Sequence, residues 1–322
     1  MIIFRTNGGQ KTGLGHIMRC LSLAKAIKQT QKTTIIFRIN KELEPFVKTK
    51  GFQTQIAESY NQQDVKQIIK QNPKYVVFDS YLSTSQYLET IQREILLIQF
   101  DDNNDIYNPI VADIVINGNI HTESLNYQSK NQNTQFLLGP KYLIMREAYW
   151  QDTEITKGKG ILITTGGSDF LHLMPKFIKA LQKTSFLKKI IIGPAYEESE
   201  IEEIIKLTNN NQTFQLIHKP TSLKEHIANS EMVITAAAST VYEVLRLKKI
   251  PIIYTLAENQ KQIAKALTEK SVISLGDVKT MPFDEVFLLK KMNQSIIGKK
   301  NLETLFNFID GKGVFRIIEN IK

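Results

Sequence analysis

Short apolar runs at residues 2–4, 34–39, 75–79, 95–100 and 114–117 alternate with amphipathic segments at 43–50, 62–71 and 83–92. Strand alternating with helix implies a parallel sheet covered on both faces, because each crossover lays a helix against the sheet. The alternation restarts after Gly160, with apolar runs at 161–165, 190–192, 214–217, 232–235, 250–254 and 272–275. The fold class expected is therefore α/β, with two doubly wound parallel-sheet domains. A length of 322 residues suits two domains that each bury a core, and a central cleft between them is the first place to look for a site.

Residues 1–150 form the first expected domain and 160–310 the second. Between them, 151–159 is polar, lacks apolar periodicity and ends in Lys-Gly-Lys-Gly, which marks a linker. Residues 311–322 read as a terminal helix. Hydrophobic residues make up 42% and charged residues 23%, which excludes a disordered or fibrous chain. No apolar run approaches the ~20 residues needed to span a bilayer. The opening residues run directly into a strand signal without a signal-peptide pattern, so a cytoplasmic protein without stable membrane insertion is expected. The net charge of +9 is spread over predicted helices, not gathered in a stripe with aromatics. This is read as a basic surface that attracts a phosphorylated substrate, and no nucleic-acid partner is expected. The composition does not address the oligomeric state. Cys20, the single cysteine, falls among apolar helix residues and is assigned to packing.

Ligands of open parallel sheets bind beyond the carboxyl ends of the strands. The first such end holds Asn7-Gly-Gly-Gln-Lys-Thr-Gly-Leu-Gly-His16, a glycine-rich turn that delivers a histidine to the start of a helix near Gly15. The positive end of the helix dipole disfavours an imidazolium there, leaving a ring that accepts a proton. No Lys-Ser or Lys-Thr pair follows the last glycine, and no ribose-binding acid stands at dinucleotide spacing, so neither nucleotide fingerprint is met. Other strand ends carry Asp79, Ser80 and Tyr81, then Asp101 and Asp102, then Asn117. Helix capping or a turn would also use an aspartate at these places. In the second half, Thr164-Thr-Gly-Gly-Ser-Asp169 follows a strand signal and precedes a helix, which suits backbone amides around a diphosphate at a helix N-terminus. Ala236-Ala-Ala-Ser-Thr240 with Glu243 repeats that logic, although Ser239 or Thr240 with Glu243 also fits a capping box. A third loop contains Asn259 and Gln260.

Together these residues give the chain a resemblance to the UDP-sugar hydrolases of the pseudaminic acid pathway (PseG) and the spore-coat polysaccharide biosynthesis proteins (SpsG type). It runs over almost the full length. It rests on Gly13-Leu-Gly-His-Ile-Met-Arg19, Asp79-Ser-Tyr81, Asp101-Asp102, 113–117, Gly139-Pro-Lys-Tyr142 with Arg146, Gly166-Gly-Ser-Asp169, Ala238-Ser-Thr-Val-Tyr-Glu243 and Asn259-Gln260. The resemblance implies a glycosyltransferase B-like fold with UDP held mainly by the second domain and sugar chemistry facing the first. It implies that His16 activates water, that Glu243 holds the ribose hydroxyls, and that Gly166, Gly167 and Ser168 face the diphosphate. Ser239 and Thr240 would line the nucleotide pocket, and Tyr81 and Asn259 would stand near the sugar. Ser80 and Leu82 depart from the pseudaminic branch, which has His and Gly there, and this moves the chain toward the spore-coat branch.

The expected activity is hydrolysis of a UDP-linked (di)acetamido-deoxy sugar, without a metal or other cofactor, for nonulosonic acid or surface polysaccharide synthesis. His16, Tyr81 and Asp101 are the candidate catalytic residues. Asp101 or Asp102 would orient the imidazole or the sugar, and the sequence does not choose between them. Candidate substrate-binding residues are Gly13, Gly15, Arg19, Asp79, Asn117, Gly166, Gly167, Ser168, Ser239, Thr240, Glu243, Asn259 and Gln260. The alternatives are a glycosyltransferase with the same donor and a carbohydrate or lipid acceptor, and a non-enzymatic nucleotide-sugar or polyanion binder.

Overall fold

The computed structural model describes residues 1–9, 13–152 and 154–321, so part of the glycine-rich turn and one residue of the expected linker lie outside it. The chain divides into two compact units, one of residues 1–150 with 311–322 and one of residues 151–310.

In the first unit the chain runs β1 (Ile2–Thr6), α1 (Gly15–Thr30), β2 (Ile35–Ile39), α2 (Glu44–Thr49), β3 (Gln53–Ile56), α3 (Gln62–Lys70), β4 (Tyr75–Asp79), α4 (Ser85–Gln92), β5 (Leu96–Phe100), β6 (Ile114–Asn117) and β7 (Gln135–Leu138). The strands form one parallel sheet in the order β3-β2-β1-β4-β5-β6-β7. The expected parallel architecture is present, with two further strands. Both additions, β3 and β7, lie at the sheet edges. Their sequences, Gln-Thr-Gln-Ile and Gln-Phe-Leu-Leu, are only four residues long and mostly exposed or half-buried, and β3 is largely polar, so neither gives a long apolar run.

In the second unit come β8 (Ile161–Ile163), α5 (Leu173–Leu181), β9 (Lys188–Ile192), α6 (Glu198–Thr208), β10 (Phe214–His218), α7 (Lys224–Ala228), β11 (Met232–Ala236), α8 (Ser239–Arg246), β12 (Ile250–Thr255), α9 (Lys261–Glu269), β13 (Ile273–Asp277), α10 (Glu285–Ile297) and α11 (Glu303–Phe308). Its sheet is also parallel, in the order β10-β9-β8-β11-β12-β13. The last helix, α12 (Gly313–Asn320), belongs to the first unit. No helix among the described residues is long and apolar enough to cross a membrane.

Strand alternation sends the first sheet's side chains into two cores. Ile2 and Phe4 join α1 and α12 through Ile17, Leu23, Val314 and Ile317, whereas Ile3 joins α3 and α4 through Val65, Leu88 and Ile91. Gly313 lets α12 approach closely, because a Cβ there would lie 2.1 Å from the carbonyl oxygen of Leu143. The second core also holds charge. Arg5 and Arg38 interrupt otherwise apolar strands, and both are buried. Arg5 Nε donates to Asp64 Oδ2 at 2.8 Å, Arg38 Nε donates to Asp64 Oδ1, and the Tyr87 hydroxyl donates to Asp64 Oδ2 at 2.6 Å. The Arg5 guanidinium also lies 3.8 Å from the Tyr60 ring centre.

Removing the one carboxylate would leave two guanidinium groups buried without their counter-ion. Asp64→Asn is therefore expected to destabilise the first unit by about 3–5 kcal/mol. Urea unfolding followed by tryptophan fluorescence reads the loss, since Trp150 lies in this unit. A midpoint equal to that of the parent would contradict it.

Candidate active site

Each sheet has one place where successive crossovers turn to opposite sides. In the first unit the chain moves from β1 outward through β2 and β3, then returns to place β4 on the other flank of β1. The crevice beyond the carboxyl ends of β1 and β4 is the expected ligand position of such a sheet. The helix that follows β1 carries His16 in its first turn, and the loop after β4 carries Ser80 and Tyr81.

Backbone geometry dictates the glycines of the first loop. Gly9 donates to the carbonyl of Gly13 at 3.1 Å, and Gly13 has φ +75°, in the left-handed region. Gly9 has φ +146°, and a Cβ there would lie 2.3 Å from Glu42 Oε2. A Cβ at Gly13 or Gly15 would meet no atom, so these two leave open space beside His16. Leu14 is the N-cap of α1 and supplies no side-chain acceptor to the helix N-terminus. The His16 ring is partly exposed, with Nδ1 3.9 Å from Asp79 Oδ1, beyond hydrogen-bond range. It also packs edge-on against Tyr81, with ring centres 4.5 Å apart.

Arg19 stands three residues after His16 and thus on the same side of α1. Its Nε and Nη2 each donate to Asp79 at 2.6 Å, a bidentate pair, while Nη1 donates to Asp102 Oδ1 at 2.6 Å. The Tyr81 hydroxyl donates to Asp102 Oδ2. Burial acts to push the Asp102 carboxyl up, but the Arg19 charge and its hydrogen bond outweigh it and hold the group well below the usual carboxylate range. The Tyr81 side chain is exposed, but desolvation of its hydroxyl and the same carboxylate push the phenol up, which keeps it a proton donor. Two carboxylates share one guanidinium, so Arg19 presents no free cation to a phosphate. Arg19 and Asp79, expected from the sequence at the substrate, are joined in this frame between α1 and the end of β4.

The structure also separates the two adjacent aspartates. Phe100 points to the α1 side of the sheet, and Asp102, two residues on, reaches the Arg19 cluster from that side. Asp101 instead accepts from the Asn104 amide at 2.6 Å and the Tyr127 hydroxyl at 2.8 Å, where burial pushes its carboxyl up. Asp102, not Asp101, is therefore the carboxylate of the cluster. Asn117 is likewise committed to the framework. Its Nδ2 donates to the Asp102 carbonyl at 3.0 Å and to Tyr127 at 2.9 Å, and its Oδ1 accepts from the Asn119 amide at 3.0 Å. Ser80 is buried, with its hydroxyl accepting from the Leu82 amide at 3.1 Å, whereas Leu82 is exposed.

In the second unit the corresponding crevice lies between β8 and β11. After β8, Gly166 has φ +97°, and neither Gly166 nor Gly167 has any atom within 4 Å of an added Cβ. Gly193, which the sequence reading passed over, makes this loop possible: a Cβ there would lie 2.4 Å from the carbonyl oxygens of both Gly166 and Gly167. The helix after this loop is not an open anion site, contrary to expectation. Asp169 Oδ1 accepts from the Leu173 amide at 2.9 Å and Oδ2 from the Met174 amide at 2.7 Å, so this carboxylate already fills the N-terminus of α5.

After β11 the opposite holds. Ala238 is the N-cap of α8 and caps nothing with its side chain, so the capping box considered from sequence is absent. Ser239 and Thr240 are the first two helical residues, and Glu243 is buried one turn on. Asn259 is exposed in the loop after β12, one strand farther from the crevice, and Gln260 Oε1 accepts from the Leu256 amide at 3.0 Å. The structure thus brings together His16, Arg19, Asp79 and Tyr81 in the first unit, and places the Gly166–Ser168 and Ser239–Glu243 segments on adjacent strand ends in the second. Among the described residues no group of three or more His, Cys, Asp or Glu side chains could hold a metal ion.

No protein-family model matches the chain. It is 27% identical over 271 residues to an uncharacterized protein of Methanocaldococcus jannaschii, a match covering 80% of this chain and about half, 55%, of the archaeal one. It is 22% identical to the spore coat polysaccharide biosynthesis protein SpsG of Bacillus subtilis, over 97% of this chain and 94% of SpsG. It is 23% identical to the UDP-2,4-diacetamido-2,4,6-trideoxy-beta-L-altropyranose hydrolase of Campylobacter jejuni, over 84% of this chain and 96% of the hydrolase. Among solved structures, MurG of Acinetobacter baumannii superposes with a TM-score of 0.69 at 14% identity over 99% of both chains. UGT89C1 of Arabidopsis thaliana, in complex with UDP-L-rhamnose, does so with 0.68 at 11% identity over 99% of this chain and 98% of that one. These likenesses show that the fold is the glycosyltransferase B-like one expected.

The Asp102 contacts set a sign for the pH dependence of stability. Its folded-state pKa is depressed, so the stability it contributes is present above the unfolded carboxyl value of about 4 and is lost as pH falls below it. Asp102→Asn should accordingly be less stable than the parent at neutral pH, with the difference narrowing below about pH 4. Urea midpoints across pH measure this, and a difference that widens in acid would contradict it.

Proposed function

We propose that this chain is a hydrolase that releases UDP from a UDP-linked acetamido-deoxy sugar, supplying the free sugar for surface polysaccharide or nonulosonic acid synthesis. The observation that carries the reading is His16. A partly exposed imidazole stands at a helix N-terminus without a side-chain cap, in the switch-point crevice of the first sheet. An ionic frame beside it is already satisfied. The named activity of the Campylobacter jejuni hydrolase and the polysaccharide role named for SpsG support the substrate class.

In this reading His16 takes a proton from water as the water oxygen bonds to the substrate. The bond joining UDP to the sugar breaks, UDP leaves with the electron pair, and the proton passes to solvent. Tyr81 buttresses the imidazole through its ring while Asp102 holds its hydroxyl. The second unit binds the nucleotide. The loop of Gly166, Gly167 and Ser168, whose Gly166 amide donates to Thr164 Oγ1 at 3.2 Å, and the start of α8 at Ser239 and Thr240 face the diphosphate, Glu243 takes the ribose, and Asn259 and Gln260 border the donor. Amides and a helix dipole supply positive potential that Arg19, spent on two carboxylates, does not.

A transferase reading is favoured by one observation, the likeness to glycosyltransferase structures. A panel of UDP-linked acetamido sugars, followed by NMR without an acceptor, separates the two. Release of UDP and free sugar supports hydrolysis; release only after an acceptor is added supports transfer; neither UDP binding nor release contradicts both. His16→Ala should lower turnover by roughly 10²- to 10⁴-fold while UDP affinity by calorimetry stays near that of the parent. A fully active variant would contradict the role given to His16.

A further inference from the structure

Asp102 is gripped from behind by a single segment. From the end of β6 onward, alternate residues reach it: Asn117 Nδ2 donates to the Asp102 carbonyl at 3.0 Å, Asn119 Nδ2 to its Oδ1 at 3.1 Å, and His121 Nε2 stands 3.0 Å from the same carbonyl. A carbonyl only accepts, so His121 carries its hydrogen on Nε2. Its Nδ1 is buried and finds no hydrogen-bond partner. The ring lies outside the Arg19–Tyr81 contacts and is almost fully buried. No motif in the sequence pointed to it.

We propose that His121 is a positioning residue, whose Nε2–H fixes the Asp102 backbone so that its carboxylate meets Tyr81 and Arg19 and thereby sets His16. The proposal deepens the hydrolase reading and rests on it for its kinetic consequence. The geometry beneath it stands on the contacts alone. His121 shares the Asp102 carbonyl with Asn117, each 3.0 Å away, so the backbone is anchored from two side chains, whereas Asn119 touches only one carboxylate oxygen. Burial pushes the His121 ring's pKa down, more than the Asp102 carbonyl pushes it up, which favours the neutral ring the contact needs. The bare Nδ1 also explains which substitute should work. A glutamine amide can present a donor where Nε2 stands, while the shorter asparagine reaches only to the place of Nδ1.

The test compares His121→Ala, His121→Asn and His121→Gln with the parent, using the UDP-linked sugar that the parent turns over. Misplacing a catalytic group by about 1 Å costs on the order of 10²-fold, so the Ala and Asn variants should lose roughly 10- to 100-fold in kcat with little change in KM, and Gln should recover most of it. Equal loss in all three, or a rise in KM alone, would overturn the proposal while leaving the hydrolase reading intact. If the parent turns over no sugar, the hydrolase reading fails and a second measurement decides the positioning role. The ¹³Cζ resonance of Tyr81, assigned by Tyr81→Phe, is titrated into the alkaline range. In the parent it should stay flat, because desolvation of the hydroxyl and the hydrogen bond to Asp102 hold the phenol protonated. In the Ala variant it should begin to titrate, and the Gln variant should restore the flat profile. A flat profile in every variant would overturn the proposal.

Discussion

Arg19 between Asp79 and Asp102 is the interaction on which the first unit's candidate site depends. The guanidinium spends two nitrogens on the end of β4 and a third on the loop after β5, from a helix that begins at the end of β1. One side chain therefore ties together the carboxyl ends of three neighbouring strands. His16, one helical turn before Arg19, inherits its position from that tie. Tyr81 inherits its own from the second carboxylate. Because the frame is charge-assisted and largely buried, its geometry is set before any ligand arrives.

The same economy explains a contrast between the two units. The first crevice carries an excess of carboxylate over guanidinium, a poor setting for a diphosphate. In the second, Gly166 and Gly167 leave open space beside their backbone, and the start of α8 has no side-chain cap. Asp169 shows how narrow the distinction is, for a carboxylate in the chain itself occupies the neighbouring helix start. Away from both crevices, the Arg5–Asp64–Arg38 cluster stiffens the far core of the first sheet, where polar groups cost stability unless they are paired.

Much of the fold was legible because parallel sheets bury their strands on both faces and so write them as apolar runs. The edge strands β3 and β7 were not, since both are only four residues long and mostly exposed or half-buried, and β3 is largely polar. The glycine turn and His16 stood out because few residues tolerate the backbone of that turn. Asp102 could have been chosen over Asp101 from strand alternation, counting two residues on from Phe100. Arg19, Asp79 and Asn117 were read as ligand contacts; sequence reveals a polar side chain but not the intramolecular partners that the structure gives each of them. His121 and Gly193 were invisible for a related reason: their importance lies in a contact with residues far away in the chain.

Arg19→Lys tests the frame most directly, because lysine keeps the positive charge but cannot make the bidentate contact while also reaching a second carboxylate. UDP affinity and kcat would be measured together, with the UDP-linked sugar turned over by the parent. A frame role predicts a large loss of kcat with UDP affinity preserved. Parental kcat, or a fall in UDP affinity with kcat unchanged, would contradict it and return Arg19 to the binding of substrate.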